Sequence, residues 1–134
     1  MQEYINKAQH NEDFHNCIHE KFPQAFHDWK TIALFYSAIH FLKALGLKKG
    51  IKIGETHEAI AMNCNPKSRS RIIEINGEIW DNYYLMYQYS RNARYQGFIE
   101  ADLHHKLMAA QYGECKTSFR AFRILLRGEG IKTN

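Results

Sequence analysis

The segment spanning residues 29–47 constrains the fold of this chain more than any other. Its sequence, WKTIALFYSAIHFLKALGL, is apolar on nearly every side. A helix of that kind must be covered all round, and nineteen residues are too many for one buried strand. Lys30, His40 and Lys43 lie inside it, which disfavours a transmembrane helix. The segment therefore predicts the central helix of a bundle in which Tyr36 and His40 share a face, one turn apart.

The other segments also have helical patterns. We predict a first helix over residues 2–22, a third over 56–64 with Thr56 as N-cap, and a fifth over 100–127, followed by a frayed tail at 131–134. No segment alternates like a strand. The predicted fold class is all-α, an up-and-down bundle of four long helices and one short helix, in a single domain spanning 1–134.

The fourth helix is predicted to begin at Ser68 or Ser70, to end at Tyr95 and to be broken by Gln96-Gly97. Gly77 lies inside it, where we expect close packing against another helix. Apolar and small residues recur every three or four positions, which predicts one buried face: Ile72, Ile75, Ile79, Tyr83, Met86, Tyr87 and Ser90.

Composition excludes several classes of protein. With 134 residues, 45% of them apolar and 24% charged, the chain can form a globular core unaided. The net charge of +4 permits a phosphate or nucleic-acid partner without requiring one. Cys17, Cys64 and Cys115 are too few and too scattered for a disulfide framework or a structural zinc site. The first residues lack a basic, apolar leader, so we expect a cytoplasmic protein without membrane contact.

Motifs for cofactors and metals are missing as well. The chain has no GxGxxG, P-loop, HExxH or GxSxG sequence. His15 and His19 are four residues apart and could reach one ion, but a catalytic zinc site requires a third protein ligand. A half-buried or solvated helix face explains this pair more simply. We therefore predict neither a cofactor nor a metal site.

The candidate site combines polar residues of three predicted helices. Arg91 and Arg94 share a face near the end of the fourth helix, where a guanidinium requires an anion such as a carboxylate or a ligand phosphate. The set is Tyr36, His40, His57, Arg91, Arg94 and Tyr95. The alternative is purely structural: the arginines pair with Glu55, Glu58 or Asp81, and His40 is a hydrogen-bonded core histidine.

The order and spacing of four segments resemble HEPN domains. These are Trp29, FYSAIHFLKA at 35–44, Thr56-His57-Glu58, and YYLMYQYSRNARY at 83–95. The similarity is greatest to small prokaryotic members with a tyrosine–histidine helix and an SRxARY-like ending. The resemblance implies an all-α bundle of four to five helices that is commonly a homodimer.

Many HEPN domains are metal-independent ribonucleases of toxin–antitoxin, CRISPR and other defence systems. Their motif is an arginine and, after four to six residues, a histidine, and this chain lacks it. The corresponding positions are Gln96, Gly97 and Phe98 after Arg91, and Ile99, Glu100 and Ala101 after Arg94. The usual catalytic pair is thus absent.

Three hypotheses follow. We favour a non-catalytic module that binds RNA, a nucleotide or an antitoxin-like protein, with Arg91, Arg94 and His40 around a phosphate and Tyr36 or Tyr95 stacking or hydrogen bonding. The second is a ribonuclease in which His40 or His57 is the base and the arginines stabilise the phosphate. The third is a structural protein whose polar residues only join helices.

The tyrosines of the fourth helix favour a homodimer. Tyr83, Tyr84, Tyr87, Tyr89 and Tyr95 cannot all face one core, and exposed aromatic residues are enriched at interfaces.

Overall fold

The computed structural model describes residues 1–95 and 101–132, without the side chain of Tyr95. Helix accounts for 76% of these residues and they contain no strand, which confirms the all-α class. The helices are α1 (Gln2–Lys21), α2 (His27–Lys48), α3 (His57–Cys64), α4 (Gly77–Tyr95) and α5 (Ala101–Gly128). The predicted break at Gln96-Gly97, the predicted start of the last helix at Glu100, and residues 133–134 lie outside the described residues.

Helix α2 is the centre of the fold. It packs against α1, α4 and α5, while α4 also packs against α5. Leu34, Phe41, Leu42 and Leu45 of α2 are all buried. Burying a side chain of this size contributes about 1.5–3 kcal/mol, so a helix that is apolar all round is stable only with neighbours on several sides. The prediction of a central helix is confirmed.

The beginning of α2 differs from the prediction. Trp29 is 58% exposed and Tyr36 is 40% exposed, whereas Lys30 is fully buried. The Lys30 ammonium donates a hydrogen bond to the carbonyl oxygen of Phe22, at the end of α1. Its aliphatic stem can be buried while its charged end finds an acceptor. Hydropathy alone therefore misassigned which of two adjacent residues faces the core.

Helix α4 begins later than predicted. Its first residue is Gly77, not Ser68 or Ser70. The Asn76 side-chain oxygen accepts a hydrogen bond from the Glu78 backbone N–H at 2.8 Å, and this contact caps the helix. Several residues of the sequence could have acted as caps, so local propensity did not select the correct one.

Residues 65–76 form a non-helical connection between α3 and α4. Within it Ile73 is buried, whereas Ile72 is 53% exposed, contrary to the predicted stripe. A methyl group added at Gly77 would meet no atom within 4 Å, so the expected close packing at this glycine is wrong.

Other local predictions are confirmed. The Thr56 hydroxyl accepts a hydrogen bond from the Ala59 N–H at 3.1 Å and caps α3. The face predicted for α5 is buried, namely Met108, Tyr112, Cys115, Phe119, Phe122 and Leu126. Ile131 is buried as well, so the tail is not frayed at this residue. Over the described residues, no helix has both the length and the apolar character that a bilayer crossing requires.

Candidate functional site

His57 is the first residue of α3, directly after the N-cap Thr56, and its side chain contacts α4. Its ring stacks on the ring of Tyr87 with centroids 3.3 Å apart and planes inclined by 6°. Its Nδ1 lies 3.0 Å from the hydroxyl oxygen of Tyr83, which is fully buried. Two tyrosines of α4 therefore fix the position of the imidazole, and its Nε2 has no hydrogen bond to any of the described residues.

Aromatic side chains continue from this contact along α4. The rings of Trp80 and Tyr84 stack with centroids 6.1 Å apart, and those of Tyr84 and Tyr87 also stack at 6.1 Å. Spacings of four and three residues place them on one face of the helix. We call Trp80, Tyr84, Tyr87 and His57 the aromatic strip. Trp80 is buried, whereas Tyr84 is 41% exposed, so the strip presents a ring to the surface.

A groove of about 800 Å³ separates α3 from α4 beside the aromatic strip. Trp80, Tyr84 and His57 line it together with Pro66, Lys67 and the carboxylates of Glu58 and Asp81. This volume is within the range of ligand pockets, about 300–1,000 Å³.

Two arginines follow the aromatic strip on α4. Arg94 donates a hydrogen bond from Nη1 to the Tyr36 hydroxyl at 3.3 Å, and its guanidinium carbon lies 6.0 Å from the ring centroid of Phe35. Arg91 is exposed. Glu55, one of the carboxylates considered for an arginine pair, forms a salt bridge with Lys43 at 3.3 Å. The structure thus joins Tyr36 to Arg94 across α2 and α4.

The arginines also act on His57 electrostatically. Burial lowers the pKa of His57, Glu58 raises it in part, and the positive charges of Arg91 and Arg94 lower it further. The lowered pKa therefore favours the neutral imidazole near pH 7. A neutral imidazole can accept a proton, and the two guanidinium groups whose charge lowers its pKa can bind an anion.

His40 lies elsewhere. Its ring stacks on Tyr4 of α1 at 6.1 Å, and burial, followed by the charges of Lys43 and Lys7, lowers its pKa. Its Nδ1 is buried without a hydrogen-bond partner among the described residues, so it is not the fully hydrogen-bonded core histidine of the structural alternative. The structure does not bring His40 to His57 or to the arginines, although Tyr36 is one turn away. The side chain of Tyr95 lies outside the described part of the chain.

His15 and His19 belong to a second polar site. Nε2 of His15 lies 2.7 Å from the Tyr112 hydroxyl oxygen, and Nδ1 of His19 lies 3.2 Å from the same atom. Within residues 1–95 and 101–132, no three His, Cys, Asp or Glu side chains are arranged to hold a metal ion. The two histidines hold a tyrosine hydroxyl instead. This contact spans most of the chain, so helical spacing indicated the pair but not its partner.

More side chains surround the same tyrosine. The ring of His27 stacks on Tyr112 at 5.5 Å, and the ammonium of Lys30 lies 5.4 Å from the Tyr112 ring centroid. We call Tyr112, His15, His19, His27 and Lys30 the Tyr112 cluster. Burial is the main cause that lowers the pKa of all three histidines and of Lys30. A lowered pKa favours the neutral form of the three histidines, which suits a site that stabilises the fold.

Comparison with known proteins gives no matching family model, no matching curated protein and no matching solved structure. The resemblance to HEPN domains therefore stays a prediction.

Proposed function

We propose that this protein is a HEPN-like bundle without the usual catalytic pair, and that it binds single-stranded RNA or a nucleotide at the aromatic strip. One observation favours this above the rest: an exposed ring, Tyr84, stacks beside Tyr87, and Arg91 and Arg94 follow on the same helix. Proteins that bind single strands combine aromatic rings for the bases with cations for the backbone.

Each part of the site has a role in this proposal. A base stacks on Tyr84, a contact worth about 1–3 kcal/mol in proteins that bind single strands. Arg91 and Arg94 bind the adjacent phosphate, and planar guanidinium groups can do so with two parallel hydrogen bonds. The Tyr36 hydroxyl accepts a hydrogen bond from Arg94 at 3.3 Å and so orients it.

The segments that resemble HEPN domains support the same assignment. They fall on α2, α3 and α4, the helices that supply the aromatic strip and the arginines. The proposal includes a role in a prokaryotic defence or toxin–antitoxin system, with an antitoxin-like protein as partner.

The proposal also includes a homodimer formed through α4, because Leu85 is 39% exposed on that helix. Light scattering at micromolar concentration tests the dimer, and a monomeric mass would contradict it.

A ribonuclease is the second candidate, and the surroundings of His57 favour it. A neutral imidazole beside Arg91 and Arg94 could accept the proton of a ribose 2′-hydroxyl while the arginines stabilise the phosphate. Of the two histidines considered as the base, His57 is the one whose pKa is lowered by the charges of both arginines.

Incubation with labelled RNA in the presence of EDTA separates the two candidates. The wild type is compared with His57→Ala and Arg94→Ala, and His40→Ala is the matched control because His40 lies outside the site. The binding proposal expects intact RNA in every sample. Cleavage that His57→Ala and Arg94→Ala abolish, but His40→Ala retains, would establish the ribonuclease instead.

Fluorescence anisotropy with the same RNA then tests binding. We expect Tyr84→Ala to weaken binding by about tenfold, because one base stack is lost. Trp29→Ala is the control, since Trp29 is an exposed aromatic residue outside the aromatic strip. Affinity should fall as salt increases. Equal losses in the two variants, or no binding by the wild type, would contradict the proposal.

A further inference from the structure

A second cleft lies between α1 and α5 and shares no residue with the aromatic strip. Its volume is about 400 Å³. Leu34 of α2 is among its lining residues. Its titratable lining is mostly basic, with the single carboxylate of Glu12 beside His15, Lys116, Arg120, Arg123 and Arg127. We call this the α1–α5 cleft. Its size suits a small ligand, since ligand pockets span about 300–1,000 Å³.

Four cations of this lining lie on one face of α5. Lys116, Arg120, Arg123 and Arg127 are separated by four, three and four residues, which places them on successive turns of the same side. Like charges at these spacings repel each other and weaken a helix. Helix stability alone therefore does not explain the row.

Arg123 is the member of the row with a structural role. It is 8% exposed, and its guanidinium carbon lies 4.6 Å from the ring centroid of Phe41. It also forms a salt bridge with Glu12, which is the only carboxylate lining this cleft within the described part of the chain. The single negative charge of the cleft is therefore already paired.

Both ring nitrogens of His15 also have hydrogen-bond partners. Its Nδ1 lies 2.9 Å from the side-chain oxygen of Asn16, and its Nε2 lies 2.7 Å from the Tyr112 hydroxyl oxygen. The groups that remain for a ligand are the exposed Arg120 and Arg127 and the half-buried Lys116. The Lys116 ammonium lies 4.7 Å from the Tyr112 ring centroid, at the end of the row nearest the Tyr112 cluster.

From this arrangement we infer that the α1–α5 cleft binds a short linear polyphosphate through Lys116, Arg120 and Arg127. The two ends of the row are eleven residues apart, a rise of about 16 Å along the helix, which exceeds the span of a single phosphate. Guanidinium groups bind phosphate oxygens bidentately. Phe119, the aromatic residue of the lining, is buried, so the cleft offers cations to phosphate groups but no exposed ring to a base.

Isothermal titration calorimetry with inorganic tripolyphosphate tests this inference. We expect the wild-type protein to bind it at low ionic strength, and the double variant Arg120→Gln/Arg127→Gln to bind at least about tenfold more weakly. The matched control is Lys52→Gln/Lys132→Gln, which removes the same charge from two exposed lysines outside the cleft. The control should keep nearly the full affinity.

Three outcomes would overturn the inference. The first is no tripolyphosphate binding by the wild type, and the second is an equal loss of tripolyphosphate affinity in the two double variants. The third is an arginine double variant that loses RNA binding but keeps tripolyphosphate binding. The third outcome would assign the cleft to the path of an RNA.

If the arginine double variant melts at a lower temperature than the control, Arg120→Lys is tested in its place, because lysine keeps the charge and removes the bidentate fork. Unchanged tripolyphosphate affinity in Arg120→Lys would then count against the inference. The Tyr84→Ala variant should bind tripolyphosphate with wild-type affinity. A failure of the proposal for the aromatic strip can therefore be distinguished from a failure of the proposal for the α1–α5 cleft.

Discussion

The aromatic strip and the Tyr112 cluster contain similar side chains in opposite environments. Each combines tyrosine, histidine and nearby cations. In the cluster, Tyr112 is 3% exposed and its hydroxyl lies between two histidines. In the strip, Tyr84 is 41% exposed and the neighbouring Arg91 is open to solvent. Residue type alone therefore does not separate a structural site from a candidate binding site. The decisive difference is whether the polar atoms and ring faces meet partners within the protein.

The position of each site in the fold explains this difference. The Tyr112 cluster lies where α1, α2 and α5 meet, so its side chains are covered from three helices. The strip lies on α4 beside the short α3, and a groove remains between those two helices. A short helix covers less of its neighbour and leaves surface for a ligand.

Removing the central ring of the cluster should have the largest effect on stability. Tyr112→Ala deletes a buried aromatic side chain, and we expect a loss of about 3–5 kcal/mol in the free energy of unfolding. Tyr84→Ala removes a ring of the same size from the surface and should cost less than about 1 kcal/mol. Denaturant unfolding of both variants measures the contrast. Similar losses in the two variants would show that the strip is also structural.

Removing only the hydroxyl should have a smaller effect. Tyr112→Phe keeps the ring but leaves Nε2 of His15 buried without its partner, so we expect a loss of about 1–3 kcal/mol. Tyr84→Phe is the matched change in the strip and should be close to neutral. A neutral Tyr112→Phe would mean that water replaces the hydroxyl and that the cluster is less enclosed than its geometry indicates.

Acid should destabilise the protein through the cluster. In the folded state burial lowers the pKa of His15, His19 and His27 below the ordinary 6.5. Below pH 6.5 the unfolded chain therefore binds more protons, so this stability is complete above that pH and is lost as pH falls towards the lowered values. Melting temperatures measured across this range should show the decline.

His15→Gln should flatten that decline, and His10→Gln, at an exposed position of α1, should not. His40 and His57 also have lowered pKa values, so the slope should shrink rather than vanish. If the melting temperature of His15→Gln declines with pH as steeply as that of the wild type, the Tyr112 cluster is not the source of the decline.

A small effect on stability is expected for Arg94→Ala. Arg94 is exposed, and the loss of its hydrogen bond to Tyr36 should lower the free energy of unfolding by no more than about 1.5 kcal/mol while RNA affinity falls. Arg123→Ala, at a buried arginine paired with Glu12, provides the contrast and should destabilise clearly. A large stability loss in Arg94→Ala without any RNA binding would support the structural hypothesis instead.

Periodicity predicted the parts of the fold that depend on one helix at a time. The buried face of α5 follows from spacings of three and four, and the central place of α2 follows from its apolar residues on all sides. The start of α4 was wrong by several residues, because Ser68, Ser70 and Asn76 are all competent caps. The free energy difference between such caps is small. The burial of Ile73 in the connection before α4 cannot be predicted from the spacing of residues along the sequence.

The same limit applies to the candidate site. Helical spacing grouped Arg91 with Arg94 and Tyr36 with His40, but the partners of Tyr36 and His40 lie on different helices. It indicated His15 and His19 as a pair without indicating Tyr112, which lies on the opposite end of the chain. Sequence determines which residues share a helix face, because the backbone repeat is local. Which faces meet depends on how α1, α4 and α5 pack around α2 and on how α3 contacts α4, and that is a property of the whole chain.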